Sequence, residues 1–321
     1  MSAFRITARL ASAALVVLGI AGAAPRWAVA QDRCTLWGQL EAAVKAGDLK
    51  AATATQIAIE DEAHCNERVV DAKKAVVQIY RAQDERLEKQ KVPQRDLIKH
   101  LQNRVKLLEE ALNFWEAYDI HTRIAELQAK LPGKKDHGKI GMALDRALVA
   151  IDDLPESERP SKAEISRLTR LANQEEALAA GEGTPIQRES DFRNVVRQIT
   201  PGYVPAPLQF KYNEAVLTPV GESQAIRLLT KLKALDMPAL KLVGHTDPDG
   251  TFEENDALSL RRAAAIRRFL EDNGYPKGRI TISGRGKRDV AAYESQIVNK
   301  ESYTREDIHQ MLRRVELNFV N

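Results

Sequence analysis

Cysteine is scarce, with two among 321 residues. That excludes a disulfide-dense scaffold and a zinc site built from four cysteines. Histidine is scarce too. The six, at positions 64, 100, 121, 137, 245 and 309, show no HExxH-type spacing, so nothing marks a catalytic zinc helix. Aromatic residues make up 5% of the chain. A large excess of one charge is also missing: 48 basic residues face 45 acidic ones. The sustained apolar run, Leu10 to Ala24, is too short for a comfortable bilayer span and is followed by Pro25 and Arg26.

What is present at the start reads as an export signal over 1–30. Arg5 and Arg9 precede the apolar run, and Ala28-Val29-Ala30 supplies an A-x-A cleavage site. The competing reading is an uncleaved anchor. The leader carries three arginines and no acid, so without it the basic count falls to 45 and equals the acidic count. A balanced chain gives no support for nucleic-acid binding, which needs a positive field. Export implies an oxidising compartment, where Cys34 and Cys65 are expected to form a disulfide. Closing a loop of this length stabilises by about 3.5–4 kcal/mol in the chain-entropy model. A metal pair with His64 lacks a zinc spacing.

Residues 31–180 carry helical periodicity almost throughout. "TLWGQLEAAVKA" and "GDLKAATATQIAIEDEA" predict a hairpin turning at Gly47-Asp48, with Thr35 as a cap. Cys34 and Cys65 then sit at facing ends. A helix from about Arg68 to Lys89 follows, and Pro93 interrupts the chain. Leu97, Leu101, Val105, Leu108, Leu112 and Trp115 repeat at three and four. Further helices are expected at 119–131, 138–152 and 161–179. The order suggests either a TPR-like solenoid or an irregular bundle, since the repeat signature is not met in register. Trp37, Tyr80 and Trp115 fall on helix-patterned faces and read as core.

A linker rich in Gly and Pro is placed at 181–205. Beyond it, at 206–321, strands are expected at "PLQFKY", "ALKLVGHT", "RITISG" and "RRVELNFV". Helices at 218–234, 256–273 and 304–312 separate them. The fold class is therefore an all-helical domain followed by an α/β sandwich with a mixed sheet.

One residue breaks the pattern. On a helical wheel from Leu258, Arg262 lies among Leu258, Ile266 and Phe269, while Arg261, Arg267 and Arg268 point away. A lone buried guanidinium costs several kcal/mol unless it is paired. It either snorkels or pairs within the protein, or it is kept for a ligand carboxylate. The preceding "GHTDPDG" adds Asp247 at a strand end, and "ENDAL" offers Asn255 or Asp256 as an N-cap. Helix-start amides favour a bound anion. Together these suit a ligand with an ammonium and a carboxylate on one carbon.

"GHTDPDG", "ENDALSLRRAAAIRRFL", "GRG" at 284–286 and "RRVEL" at 313–317 resemble the OmpA-like, peptidoglycan-binding domain over about 206–321. The resemblance implies that Asp247 meets the ammonium, and Arg262 the carboxylate, of meso-diaminopimelate in the peptide stem. Asn255 matches the family Asn beside the site, and Thr246 and Gly250 shape the loop. Leu312 stands where the family usually has Asn before "RRVE", and 287–311 is longer than in compact members. Arg313 and Arg314 are therefore candidates only for supporting the site from behind.

Other chemistries fit less well. Calcium would need more oxygen ligands than Asp247 and Asp249. As a hydrolytic pair these two lack a nucleophile or acid partner. His245 reads as structural. The expectation is a non-enzymatic protein without cofactor or metal, exported to the periplasm and associated with the cell wall, with the outer membrane left open as its place. Its helical domain would meet an envelope protein partner. A wall-tethered accessory subunit of an enzyme or a stator-like complex is the alternative.

Overall fold

The computed structural model describes residues 34–181, 204–206 and 208–320. The leader and most of the expected linker lie outside them. From 34 to 181 the described residues form α1 (Trp37–Ala46), α2 (Leu49–Asp61), α3 (Val69–Glu88), α4 (Leu97–Leu112), α5 (Tyr118–Ala129), α6 (His137–Asp152) and α7 (Lys162–Gly181). Gly47 ends α1 in the left-handed conformation, φ 70°, which glycine adopts without a Cβ clash. Asp48 caps α2 by accepting from the Ala51 amide. Cys34 and Cys65 are bonded, tying the two ends of this hairpin. Thr35 does not cap α1: position 36 holds the N-cap, and no side chain fills the role.

Successive helices pack on one another through one apolar core that includes Leu40, Ile59, Val76, Leu108, Ile124, Ile151 and Leu168. The α4 stripe buries Leu101, Leu108 and Ala111, and with them Arg104. Arg104 is satisfied internally. Its Nε and Nη2 donate to the two oxygens of buried Asp84 on α3, at 2.7 and 3.0 Å.

The second region has β1 (Val204–Ala206), α8 (Pro219–Ala234), β2 (Leu240–His245), α9 (Phe252–Asp272), β3 (Ile280–Gly286), α10 (Val290–Glu294), α11 (Arg305–Leu312) and β4 (Val315–Phe319). Its sheet runs β1-β4-β2-β3, with β2 and β3 parallel and the other pairs antiparallel. The parallel pair requires a crossover, which α9 supplies. "PLQFKY" is not a regular strand: only an isolated bridge joins Phe210 to Leu217, and β1 lies upstream of it. Helices α8 and α9 cover the sheet through Leu228, Leu232, Ile266 and Leu270 against Leu240, Leu242 and Leu317.

The N-terminal half of α9 lies unusually close to the sheet. A Cβ at Gly244 would come within 2.0 Å of the Ser259 carbonyl oxygen, and one at Gly284 within 2.7 Å of Ser259 Oγ. Two strand glycines thus let the helix press onto the ends of β2 and β3. The residues leaving β2 and those on the first turns of α9 consequently share one recess.

Candidate functional site

Helix α9 begins earlier than its apolar pattern predicts. Thr251 is the N-cap, and Thr251 and Glu254 form a reciprocal capping box. Asn255 and Asp256 are therefore inside the helix, not at its cap. Asn255, buried, uses its amide to close the loop instead: Nδ2 donates to the carbonyls of Asp249 at 2.7 Å and Thr251 at 2.9 Å. Gly250 takes φ 84° at the loop's tightest point. Asp247 Oδ1 accepts from the Asp249 amide at 3.2 Å. The loop carrying Asp247 is thus fixed by its own hydrogen bonds.

This loop and α9 bound a recess of about 570 Å³. Thr246, Asp247, Gly250, Asn255, Arg262 and Arg313 all line it. The structure therefore brings together the sequence-derived residues except Arg314. Arg314 turns to the opposite side of β4, where Nε donates to Glu316 at 2.9 Å and the guanidinium covers the Tyr293 ring. Of the two adjacent arginines, Arg313 alone reaches the recess. His245 joins that second cluster, 3.0 Å from Glu316. The Asp249 carboxylate lies near Arg305 and His309, while its amide holds Asp247.

Arg262 is 3% exposed. Its Nε donates to the Glu214 carbonyl at 3.1 Å, and the guanidinium lies 5.1 Å from the Phe210 ring centre. No carboxylate of the described residues forms an ion pair with it. Burial, reinforced by the neighbouring Arg313 charge, pushes its pKa down to about 10. The nearby Asp247 carboxylate offsets this only in part, and the guanidinium keeps its charge at neutral pH. Thr246 adds a buried hydroxyl with no hydrogen-bond partner among the described residues.

Arg313 acts closer to the recess than a supporting position implies. Its Nη1 donates to Asp247 Oδ2 at 2.9 Å, and Nη2 to Glu306 at 2.6 Å and Gln310 at 2.8 Å. Burial draws its pKa down, but the bonds to Glu306 and Asp247 outweigh that and hold it above the ordinary value. Tyr212, Asn213 and Arg261 also line the recess, and sequence reasoning did not single them out for it. Tyr212 and Asn213 sit on an irregular turn without periodicity. Arg261 lies on the wheel's outward face.

Residues 209–304 match the family model described as OmpA family. The chain carries a C-terminal OmpA-like domain. This OmpA-like domain is similar to outer membrane protein A of Bordetella avium, 33% identical over 83 residues, which is 26% of this chain and 43% of that protein. It is also similar to outer membrane protein A of Shimwellia blattae, 35% identical over 80 residues, or 24% of this chain and 33% of that one. The chain spans less than half the length of these curated relatives. Among solved structures, the cell wall anchor of the T6SS from Pseudomonas aeruginosa is 21% identical, with a TM-score of 0.29, over 37% of this chain and 80% of that one. The peptidoglycan-associated lipoprotein from Burkholderia pseudomallei is 22% identical, with a TM-score of 0.28, over 37% and 90%.

Proposed function

We propose that the OmpA-like domain binds peptidoglycan non-covalently, through the diaminopimelate of the stem peptide, and so tethers the helical region to the cell wall. The observation that carries the reading is Arg262: a buried guanidinium facing a recess, held by one backbone carbonyl and without an ion-paired carboxylate among the described residues. A ligand carboxylate supplies the missing counter-charge through charge-assisted hydrogen bonds. Asp247, on the same recess, receives the ammonium. Its carboxylate offers about four acceptor positions, and the Asp249 amide and Arg313 occupy two of them.

The setting is the periplasm, with residues 1–30 as the export signal. Among the described residues no helix is long and apolar enough to cross a membrane. The helical region, as a TPR-like or irregular stack, presents its surface to an envelope protein. The role is binding, not catalysis. Sedimentation with purified diaminopimelate-type sacculi tests the site. Wild type pellets with the wall, while Asp247→Ala and Arg262→Ala stay in the supernatant with unchanged circular dichroism. Equal pelleting of all three overturns the assignment.

A further inference from the structure

The elongated 287–311 segment does not hang free. It is the surface on which the helical region rests. Val298 exchanges two hydrogen bonds with the Gln174 side chain, its amide donating at 3.0 Å and its carbonyl accepting at 3.2 Å. Glu175 of α7, 2% exposed, accepts from the Tyr303 hydroxyl at 2.6 Å and lies 2.7 Å from His137 Nδ1. Leu178 packs with Ile297 and Met311. A small-residue edge of α7, Ala177 and Ala180, lines a crevice shared with Gln310 and Arg313.

Helix α11 therefore has two tasks. One side rests on α7. Its C-terminal end delivers Arg313 to Asp247. Gln310 joins them, because its side chain lies against Gly181 at the end of α7 and accepts from Arg313 Nη2. A continuous run of direct contacts leads from the helical region to the carboxylate in the recess: Gly181, Gln310, Arg313, Asp247.

Resting on the peptidoglycan reading above, we propose that Arg313 is a positioning residue through which docking of the helical region sets the ligand affinity of the OmpA-like domain. Arg313 fixes the rotamer of Asp247 and adds positive potential beside Arg262. When Gln310 is displaced, the guanidinium loses one of its three anchors. Asp247 is then less well oriented for the ammonium. A partner that pulls α7 away from α11 weakens wall attachment by the same route, and by linkage a bound stem peptide strengthens the docked arrangement.

The test is a double-mutant cycle in the full chain, read by calorimetric titration with a soluble stem peptide ending in meso-diaminopimelate. Gly181→Val is remote from the recess. The added Cβ would stand 3.0 Å from Gln310 Cδ, tight enough to shift that side chain. The expected losses are about threefold to tenfold for Gly181→Val and about tenfold for Arg313→Ala. Arg313→Lys recovers part of the loss, because one ammonium cannot reproduce the fork. The Gly181→Val/Arg313→Ala double variant is no weaker than Arg313→Ala alone, since both act on one link. Additive losses, or a Gly181→Val variant that binds as wild type does, overturn the coupling while the site stands. If Asp247→Ala binds the peptide normally, the site itself is misassigned, whatever the cycle gives.

Discussion

Each half of the molecule buries an arginine in the apolar stripe of a helix, and the two are treated differently. Arg104 is 4% exposed and Arg262 is 3% exposed. Arg104 meets a full carboxylate, Asp84, in a two-pronged contact, and Arg123 adds a third bond to the same Asp84. Arg262 meets a backbone carbonyl and an aromatic face, beside an open recess. Burial alone therefore does not mark a binding residue. On the proposed reading, the mark is the lack of an ion-pair partner among the described residues, combined with access to space for a ligand.

The largest effect that would sharpen this contrast is on stability. Removing Asp84 takes away the two-pronged partner of buried Arg104 and leaves it only the longer 3.8 Å contact with Glu88, so Asp84→Ala should destabilise the helical region by about 3 kcal/mol. Urea unfolding followed by Trp fluorescence would measure it, with Trp37 and Trp115 both packed against that region's core. Stem-peptide binding at temperatures where the region stays folded should be close to wild type. A small stability loss would mean that Arg104 finds other partners, and the contrast would fail.

The opposite sign is expected at the other arginine. Arg262→Met removes a buried charge that has no ion-pair partner among the described residues and replaces it with an apolar chain of similar length. It should leave stability unchanged or raise it by about 1–2 kcal/mol while abolishing sacculus binding. Arg104→Met should destabilise, because buried Asp84 then loses its two-pronged partner and keeps only Arg123. If Arg262→Met destabilises as Arg104→Met does, Arg262 is a structural residue.

Much of this was readable from the sequence because it depends on local patterns. Gly47-Asp48 marked the first turn, and period-two alternation marked β4. The wheel from Leu258 exposed Arg262 as the odd residue in α9. The same wheel logic applied to the Leu97 stripe would have exposed Arg104 three positions after Leu101, and its partner Asp84 on the preceding helix. The apolar stripe places the α9 start too late, because the capping box, Thr251 to Glu254, lies ahead of it. Arg313 is hidden from sequence for a different reason. Its contact with Asp247 spans 66 residues of sequence and depends on where α11 ends, which no local pattern encodes. The docking of α7 on 297–311 is likewise tertiary, visible in sequence only as a segment longer than expected.

The smallest effect separates the two arginines by pH. Burial pushes the Asp84 carboxyl upward, but the hydrogen bonds from Arg104 and Arg123 outweigh it, so its folded pKa lies below the ordinary value. A carboxylate shifted this way contributes its full stability above the unfolded value of about 3.9, and loses it as pH falls through the folded value. The stability gap between wild type and Asp84→Asn should therefore be flat from pH 7 to about 5 and close at more acid pH. Arg262 is shifted down to about 10, so its penalty is fully present at every pH well below that. The gap between wild type and Arg262→Met should stay level from pH 9 down into the acid range below about 5, where the Asp84 gap closes. Chemical denaturation at a series of pH values gives both curves. A gap at Arg262 that also closes in acid would mean that a carboxylate of the protein compensates it after all, and the recess would lose its distinguishing charge.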